Sequence, residues 1–417
     1  MRKLKFDLFM ITLLICAFSV SAFSISNIMD PFGTFSNLAL TRTDGTALIK
    51  VSPTVDLQLS QNLFNMDNLN ALLNEEEITI DATSMQSALE NGMHLALPLE
   101  IGAYAHLNLF GLHLVPYLNA TGGVSVNLPQ TFSQILFGNT LLDSNVRDTV
   151  NGFAKSNLRL NVGVGAMVKD FFVTGNFFVP ILYSDAERTY AHASYTSSAS
   201  PSNVNVDFDA KVVLLSTLNL QGIETKWTDT AVVSQELMDV LSQDAGISLS
   251  LGYGNDNFGF ALNDITVRPA TVRYSIAVNA SGSANYTAEG TDITADATYT
   301  LSDPEFSSLL TPMNVSNPIN LTAYYKSDGF FMWGVTGMYS LSGDWAAKAY
   351  AGINIEILKA YYMFGMTPGF YSNGLGLEIN LGILNADLQV AMTTDSLNPL
   401  GSSTPGLSAY LKLSGGI

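Results

Sequence analysis

The sequence is short of charge, of cysteine and of long apolar runs, and each shortage excludes something. Only 13% of its 417 residues are Asp, Glu, Lys or Arg, about half the share of a typical soluble domain. Mean hydropathy is nevertheless positive, +0.23, so too few charges are present to cover a water-facing surface of ordinary size. The single cysteine, Cys16, lies within the first 24 residues. Neither a disulfide framework nor a thiolate metal site is available to the rest of the chain. Basic residues number 18 against 36 acidic ones, which argues against nucleic acid as a partner. Beyond the N-terminal stretch no apolar run reaches the roughly 20 residues that a membrane-spanning helix needs. Gly-x-Ser-x-Gly, His-Glu-x-x-His and phosphate-loop motifs are missing as well. The glycines of Gly252-Tyr253-Gly254 to Gly259 sit between two alternating segments with no helix to follow, the setting of a hairpin turn. No catalytic activity and no cofactor are expected.

What is present begins with an export signal. Arg2, Lys3 and Lys5 precede an apolar run from Leu8 to Val20, and Ala22-Phe23-Ser24 supplies small residues at a cleavage point. Residues 1–24 are therefore expected to be removed near Ser24. A lipid-modified Cys16 is the alternative, disfavoured by Ile15 before it. Without Arg2, Lys3, Lys5 and Asp7 the chain keeps 15 basic and 35 acidic residues, a net charge of about −20. Residues 25–45 form an irregular lead-in, and residues 46–417 read as one domain.

That domain alternates with a period of two, the mark of strands. From Trp345 to Ile357 one register is Trp, Ala, Ala, Ala, Ile, Ile, Ile, while the other holds Lys348, Tyr350, Asn354 and Glu356. The same alternation runs through Ala47–Leu59, Leu95–Leu107, Leu158–Val168, Leu375–Leu381, Leu384–Met392 and Leu407–Leu413. Further runs start near Leu112, Phe171, Val204, Ile247, Phe258, Val272, Thr291, Ile319, Phe330 and Leu358. About 14 strands are expected, within a range of roughly 12 to 16. Strict parity fails between Val204 and Leu220. Brief turns fall at Asn108–Gly111, Lys169–Asp170, Ser327–Gly329 and Ser342–Asp344, and long connections near Gln61–Gly92, Leu128–Ser156, Ser184–Asn203, Gln221–Asp244 and Ser302–Asn317. Short helices are expected within the connections at Asp67–Asn74, Ala82–Asn91, Gln130–Phe137 and Ser234–Ser242.

Period two alone does not say which face is dry, because a soluble sandwich or lipid-binding barrel alternates too. Export, scarce charge and long, numerous strands favour lipid outside. A closed antiparallel transmembrane β-barrel is then the expected fold, since in hydrocarbon only it or a helix bundle satisfies every backbone group. Aromatic residues such as Phe171, Phe172, Tyr324, Tyr325, Phe330, Phe331, Trp333, Trp345, Tyr361, Tyr362, Phe370 and Tyr371 cluster at strand ends, as interfacial girdles do. On these features the chain resembles bacterial outer-membrane β-barrels of the porin and long-chain-fatty-acid-transporter kind. Its last strand, Gly406–Leu413, is similar to the terminal strand used in their assembly, though the chain ends in Ser-Gly-Gly-Ile instead of an aromatic residue. The resemblance implies an outer-membrane bilayer as surroundings and a homotrimer as the assembly to test.

The expected function is a porin-like channel for small hydrophilic solutes or ions. Its expected lumen residues are Lys50, Asp56, Glu100, His106, His113, Arg159, Lys348, Asn354, Glu356, Lys359, Glu378, Asn380, Asp387, Gln389 and Lys412. Mixed signs on the strands and acidity in the loops suggest weak cation preference, with divalent cations as partners of the acidic loops. His106 and His113 become cross-strand neighbours on the polar face if the turn centres between Leu109 and Phe110; no third ligand is evident, and no metal site is assigned. A barrel plugged by residues 25–45 that carries hydrophobic molecules, and a purely structural envelope barrel, are the other two expectations.

Overall fold

The computed structural model describes residues 49–62, 90–109, 112–137, 145–199, 202–221, 230–289, 292–355, 357–382, 384–394, 397 and 406–416. The export signal, the lead-in, the 67–74 helix and most of the 82–91 helix lie outside these residues. In chain order the strands are β1 (Ile49–Gln58), β2 (Ser60–Gln61), β3 (Met93–Leu109), β4 (Leu112–Leu128), β5 (Asn145–Asn151), β6 (Ala154–Val168), β7 (Phe171–Ser184), β8 (Tyr190–Ala199), β9 (Ser202–Ser216), β10 (Gly246–Gly254), β11 (Phe258–Arg268), β12 (Ala270–Glu289), β13 (Asp292–Leu301), β14 (Glu305–Val315), β15 (Asn320–Asp328), β16 (Phe331–Ser340), β17 (Trp345–Asn354), β18 (Leu358–Thr367), β19 (Phe370–Asn380), β20 (Leu384–Thr394) and β21 (Gly406–Gly416). The helices are α1 (Gln130–Phe137) and α2 (Thr230–Gln243).

Fourteen strands close on themselves. The circuit runs β1, β3, β4, β6, β7, β10, β11, β15 to β21 and back to β1, antiparallel at every step. The seam joins the first and last strands, with Asp56 opposite Tyr410, so the wall has no open edge.

The remaining long strands lie outside the wall. β5, β8, β9 and β12 pair in that order, and β13 and β14 share the far edge of β12. This second sheet grows from the long connections and touches the wall where Tyr183 and Ser184 of β7 meet Leu215 and Leu214 of β9. The runs that begin near Val204, Val272 and Thr291 are therefore strands of the outer sheet, not staves. In β9, Val212, Val213, Leu214 and Leu215 are all buried; a strand covered on both faces loses alternation, which is why parity fails there. Phe132 and Ile135 of α1 pack with Ala191, Ala193, Leu214 and Ile276 into the core beneath this sheet.

The short-turn rim carries the β3–β4, β6–β7, β10–β11, β15–β16, β17–β18 and β19–β20 connections, and the long connections gather at the other rim. The Ser342–Asp344 turn belongs to the long-loop rim, because β16 and β17 are joined there by a tight hairpin in which Ser340 N donates to Asp344 O. The α-helices at Gln130–Phe137 and Thr230–Gln243 fall where helices were expected, the second longer by several residues.

The two faces of the wall settle its surroundings. On β17 Trp345 and Ile353 point outward and stay exposed, while Lys348 and Tyr350 point inward and are buried. Each of the fourteen staves carries at least one exposed large apolar residue on its outer face, from Val51 on β1 through Leu118, Val164 and Phe260 to Leu411 on β21. A soluble protein inverts this arrangement; a wall that is greasy outside and polar inside is a membrane barrel. No helix among the described residues is long and apolar enough to cross a bilayer.

The aromatic pairs divide between the faces. Phe171, Tyr325 and Tyr362 are exposed outward, whereas their neighbours Phe172, Tyr324 and Tyr361 are buried inward. On the short-turn rim Phe171 packs edge-on against Tyr253, and Tyr325 packs at a tilt against Trp333. The inward rings lie over glycines. Tyr117, Phe172, Phe178, Tyr324, Tyr350 and Tyr361 stand directly opposite Gly163, Gly252, Gly246, Gly259, Gly334 and Gly376 on the next stave. A Cβ added at any of these glycines would come within 2.1–2.7 Å of the ring, so the glycines let the rings lie flat against the wall.

Candidate functional site: the lumen

Directly opposite residues of neighbouring antiparallel strands share a face. One such row crosses much of the inner wall: Lys359, Glu378, Asp387, Lys412, Thr54, Gly102, Asn119 and Asn161, from β18 through β6. Three polar groupings form along and beside it.

The first joins β17 to β20. Lys348 Nζ donates to Gln389 Oε1 at 3.1 Å, Gln389 Nε2 donates to Asp387 Oδ2 at 3.2 Å, and the Tyr361 hydroxyl donates to Asp387 Oδ1 at 2.9 Å. Lys359 pairs with Glu378 at 3.0 Å, and Asn385 donates to the other oxygen of Glu378 at 2.8 Å. The second lies on β3, β4 and β6. Glu100 Oε1 accepts from the Tyr104 hydroxyl at 2.6 Å and from Asn119 Nδ2 at 3.2 Å, and Asn161 Nδ2 donates to Asn119 Oδ1 at 2.9 Å. Asp56 of β1 faces Glu100 across the strand pair.

The third is an ion pair, Arg159 Nη2 to Asp264 Oδ2 at 2.9 Å, supported by Asn320 Nδ2 at 3.3 Å from the same oxygen. A β-bulge builds it. The β10–β11 register slips between Leu249 and Leu251, and Asp264 takes a left-handed backbone (φ 60°), its N–H donating to Ser250 Oγ. The extra residue turns Asp264 inward beside Asn263, as bulges do when they re-aim a side chain. The sequence carried the signal in its phase: Phe258, Phe260 and Leu262 are even-numbered, Ile265 and Val267 odd.

Most of the expected lumen residues are thus brought to the inner wall. Asp56, Glu100, His106, His113, Arg159, Lys348, Glu378, Asp387 and Gln389 are buried there, and Lys359 and Lys412 are half-buried. Lys50 stands opposite His106 in the same register. Asn354 and Asn380 sit at the short-turn rim, where Asn354 Nδ2 donates to Asp328 O and Asn380 Oδ1 accepts from Gly382 N. Glu356 lies outside the described residues. His106 and His113 are diagonal rather than directly opposite, because the register pairs His113 with Asn108. Their rings still meet, Nδ1 to Nε2 at 3.4 Å, and among the described residues no third His, Cys, Asp or Glu joins them as a metal-binding group. Asp264, Tyr104, Asn119, Asn161 and Tyr361 are lumen residues that the strand pattern alone did not single out.

Buried side chains, not open water, line this lumen: Glu100, Tyr104, Asn161, Asp387, Gln389 and Tyr410 are each at most 3% exposed. Apolar groups share the interior. Met332, Tyr350, Tyr361 and Met363 form one inward cluster, and Tyr104, Val115, Met167, Phe172 and Ala261 another.

No family model matches the sequence, and no curated protein matches it. Among solved structures, a triple mutant of the Rhodopseudomonas blastica porin is 9% identical, with 88% of this chain and 100% of that one covered at a TM-score of 0.25. The CymD monoaromatic hydrocarbon channel is 9% identical over 96% of this chain and 94% of its own, TM-score 0.34. A TodX monoaromatic hydrocarbon channel mutant is 7% identical over 96% of both, TM-score 0.33. Closure, register and the two-faced wall define the class here: a closed, antiparallel 14-stranded transmembrane β-barrel.

Proposed function

We propose that this protein is an outer-membrane channel that passes small hydrophilic solutes or ions through its lumen with weak cation preference. The observation that carries the reading is the inward polar register inside an apolar outer wall. Of its charges, Arg159 and Asp264 balance each other, as do Lys359 and Glu378. Glu100 is held by a hydroxyl and an amide, and Lys348 by an amide. Along β1 Ser52 Oγ, Thr54 Oγ1 and Gln58 Oε1 are buried acceptors without a hydrogen-bond partner. Acceptor oxygens with Asp56 and Glu100 beside them favour cations over anions. Because the interior is crowded, the unit conductance is small.

Export with cleavage near Ser24, homotrimeric assembly and divalent cations at the acidic loops belong to the same proposal. Single-channel recording across asymmetric KCl tests it. Small cation-selective steps are expected, weakened by Glu100→Gln; a bilayer without steps, or a reversal potential of anion sign, overturns the reading. The inward Met332, Tyr350, Tyr361 and Met363 cluster favours a second reading, passage of small apolar solutes. Vesicles that admit monoaromatic compounds while excluding salt would support that one instead.

A further inference from the structure

The outer side of the wall is not bare all the way up. On β7 Phe171, Val173 and Phe177 are exposed outward, and Val179 continues their register, yet Val179 is fully buried. Leu160 of β6 stands directly opposite Val179 on that face. α2 covers both: Val240 and Ala245 pack on Val179, with Leu160, Leu218 and Leu241 around the contact. The helix therefore lies outside the barrel, where lipid would otherwise touch the wall.

Its height follows from the strands. Val179 stands eight residues above Phe171 at the short-turn rim, and Tyr339, exposed on β16, stands eight above Phe331. Trp345, opposite Tyr339, is exposed as well. At about 3.3 Å per residue and a tilt of about 35–45°, eight residues climb roughly 20 Å, close to the full apolar band of about 25 Å. The helix is thus level with the upper aromatic belt.

The two flanks of α2 differ. Glu236, Asp239 and Gln243 line a groove with Arg273 and Tyr274 of β12, and Arg273 holds Asp244, just past the helix, by two 2.7 Å bonds. That flank faces the outer sheet. At 3.6 residues per turn Met238 and Leu241 fall on the opposite flank, and Met238 is 66% exposed. With the wall behind and the outer sheet to one side, the remaining side meets the bilayer.

α2 also covers a break in the ladder. β7 pairs with β10 up to Phe178 and with β9 from Tyr183 onward. Among the described residues, those from Val179 to Leu182 have no ladder partner on that side. Thr217 N donates to Pro180 O at 3.0 Å, and Pro180 has no N–H to leave unmet. Backbone bared to hydrocarbon is costly.

We propose that α2 lies in the interfacial layer of the bilayer at the long-loop rim, with Met238 and Leu241 against lipid, and seals this break from the membrane side. The partner is the lipid surface itself. α2 contains no Lys, Arg or His, so apolar contact and not headgroup charge holds it there, and the contact survives high salt. This placement rests on a wall that faces lipid.

The test uses the full-length barrel in lipid vesicles, with Cys16→Ser so that one introduced cysteine carries a nitroxide. Power saturation with oxygen, which dissolves in lipid, and with a nickel chelate, which stays in water, reads the surroundings of each label. Asp303→Cys, on the exposed link between β13 and β14, is the water reference, and Leu388→Cys, on the outer face of β20, the hydrocarbon reference. The Met238→Cys label should show an oxygen-to-nickel ratio about tenfold above the water reference and below the hydrocarbon one, unchanged in about 1 M NaCl. Val240→Asp, which sets a charge between helix and wall, should drop that ratio toward the water reference and speed hydrogen exchange from Val179 to Leu182 about tenfold. A Met238→Cys label as nickel-accessible as the water reference overturns the proposal; so does spin–spin broadening between copies, which puts a second copy on this flank. Exchange unchanged by Val240→Asp overturns the seal. Should the Leu388→Cys label also match the water reference, the wall does not face lipid and the channel reading falls as well.

Discussion

Replacing Asp264 with Asn removes one charge from the inner wall and little else. Asn tolerates the left-handed backbone that Asp264 adopts at φ 60° and keeps an oxygen for Arg159 and Asn320. The Arg159 and Asp264 side chains are only 11% and 16% exposed, and their atoms meet at 2.9 Å. Removing one partner of such a buried pair strands the other, at a cost of about 3–5 kcal/mol. Asn stays near the lower end because its carbonyl still accepts from Arg159; Asp264→Ala lies near the upper end. A loss of about 3 kcal/mol lowers the folding equilibrium constant on the order of a hundredfold. The assay is urea unfolding of the barrel in lipid vesicles, read by fluorescence of Trp333 and Trp345 on the wall. The midpoint should fall while the slope holds. Removing both ions in Arg159→Met with Asp264→Asn should restore most of the loss, since no stranded charge remains. An Asn variant within about 1 kcal/mol of the parent, or a double variant no better than the single, would refute the claim that the bulge exists to seat this pair.

Leu388→Arg puts a charge on the outer face, where Leu388 is 47% exposed, and should cost about 2–4 kcal/mol if that residue sits near the bilayer midplane; equal stability in bilayers would contradict a lipid-facing wall. Gly376→Ala places a methyl group 2.1 Å from the Tyr361 ring, which cannot swing aside without losing its bond to Asp387. The expected cost is about 1–3 kcal/mol, and Tyr361→Ala in the same chain should relieve the added strain. Outside the wall, Asp209 raises the Tyr190 hydroxyl pKa above the ordinary value, with slight burial adding to it. A raised pKa favours the neutral phenol, so its contribution to the outer sheet is complete below the ordinary tyrosine range, about 10, and disappears as pH rises through the folded value. Tyrosinate absorbance should show one late-titrating phenol that Asp209→Asn returns toward normal.

Much of the barrel was legible in the sequence because a membrane wall imposes a local rule. Each stave must turn apolar groups to lipid and polar groups inward, so Val51 against Ser52, or Ile353 against Lys348, announces strand and face without knowledge of any partner. The inner charges Asp56, Glu100, Arg159, Lys348, Glu378 and Asp387 followed from the same rule. Pairing is not local. Which strands close the wall and which fold away into the outer sheet depends on partners distant in sequence; Val204 and Val272 begin strands as apolar as many staves, yet β9 and β12 pair with each other above the rim. A one-residue slip at Asn263–Asp264 changed the phase of a strand, but only the packed wall shows that the slip carries a carboxylate to Arg159. The sequence by itself determined the strands and their two faces, because those depend on neighbours one and two residues away. Tertiary structure alone decided which face meets lipid, which runs close the wall of fourteen and which fold into the outer sheet, and how crowded the lumen is, because each requires residues far apart along the chain to meet.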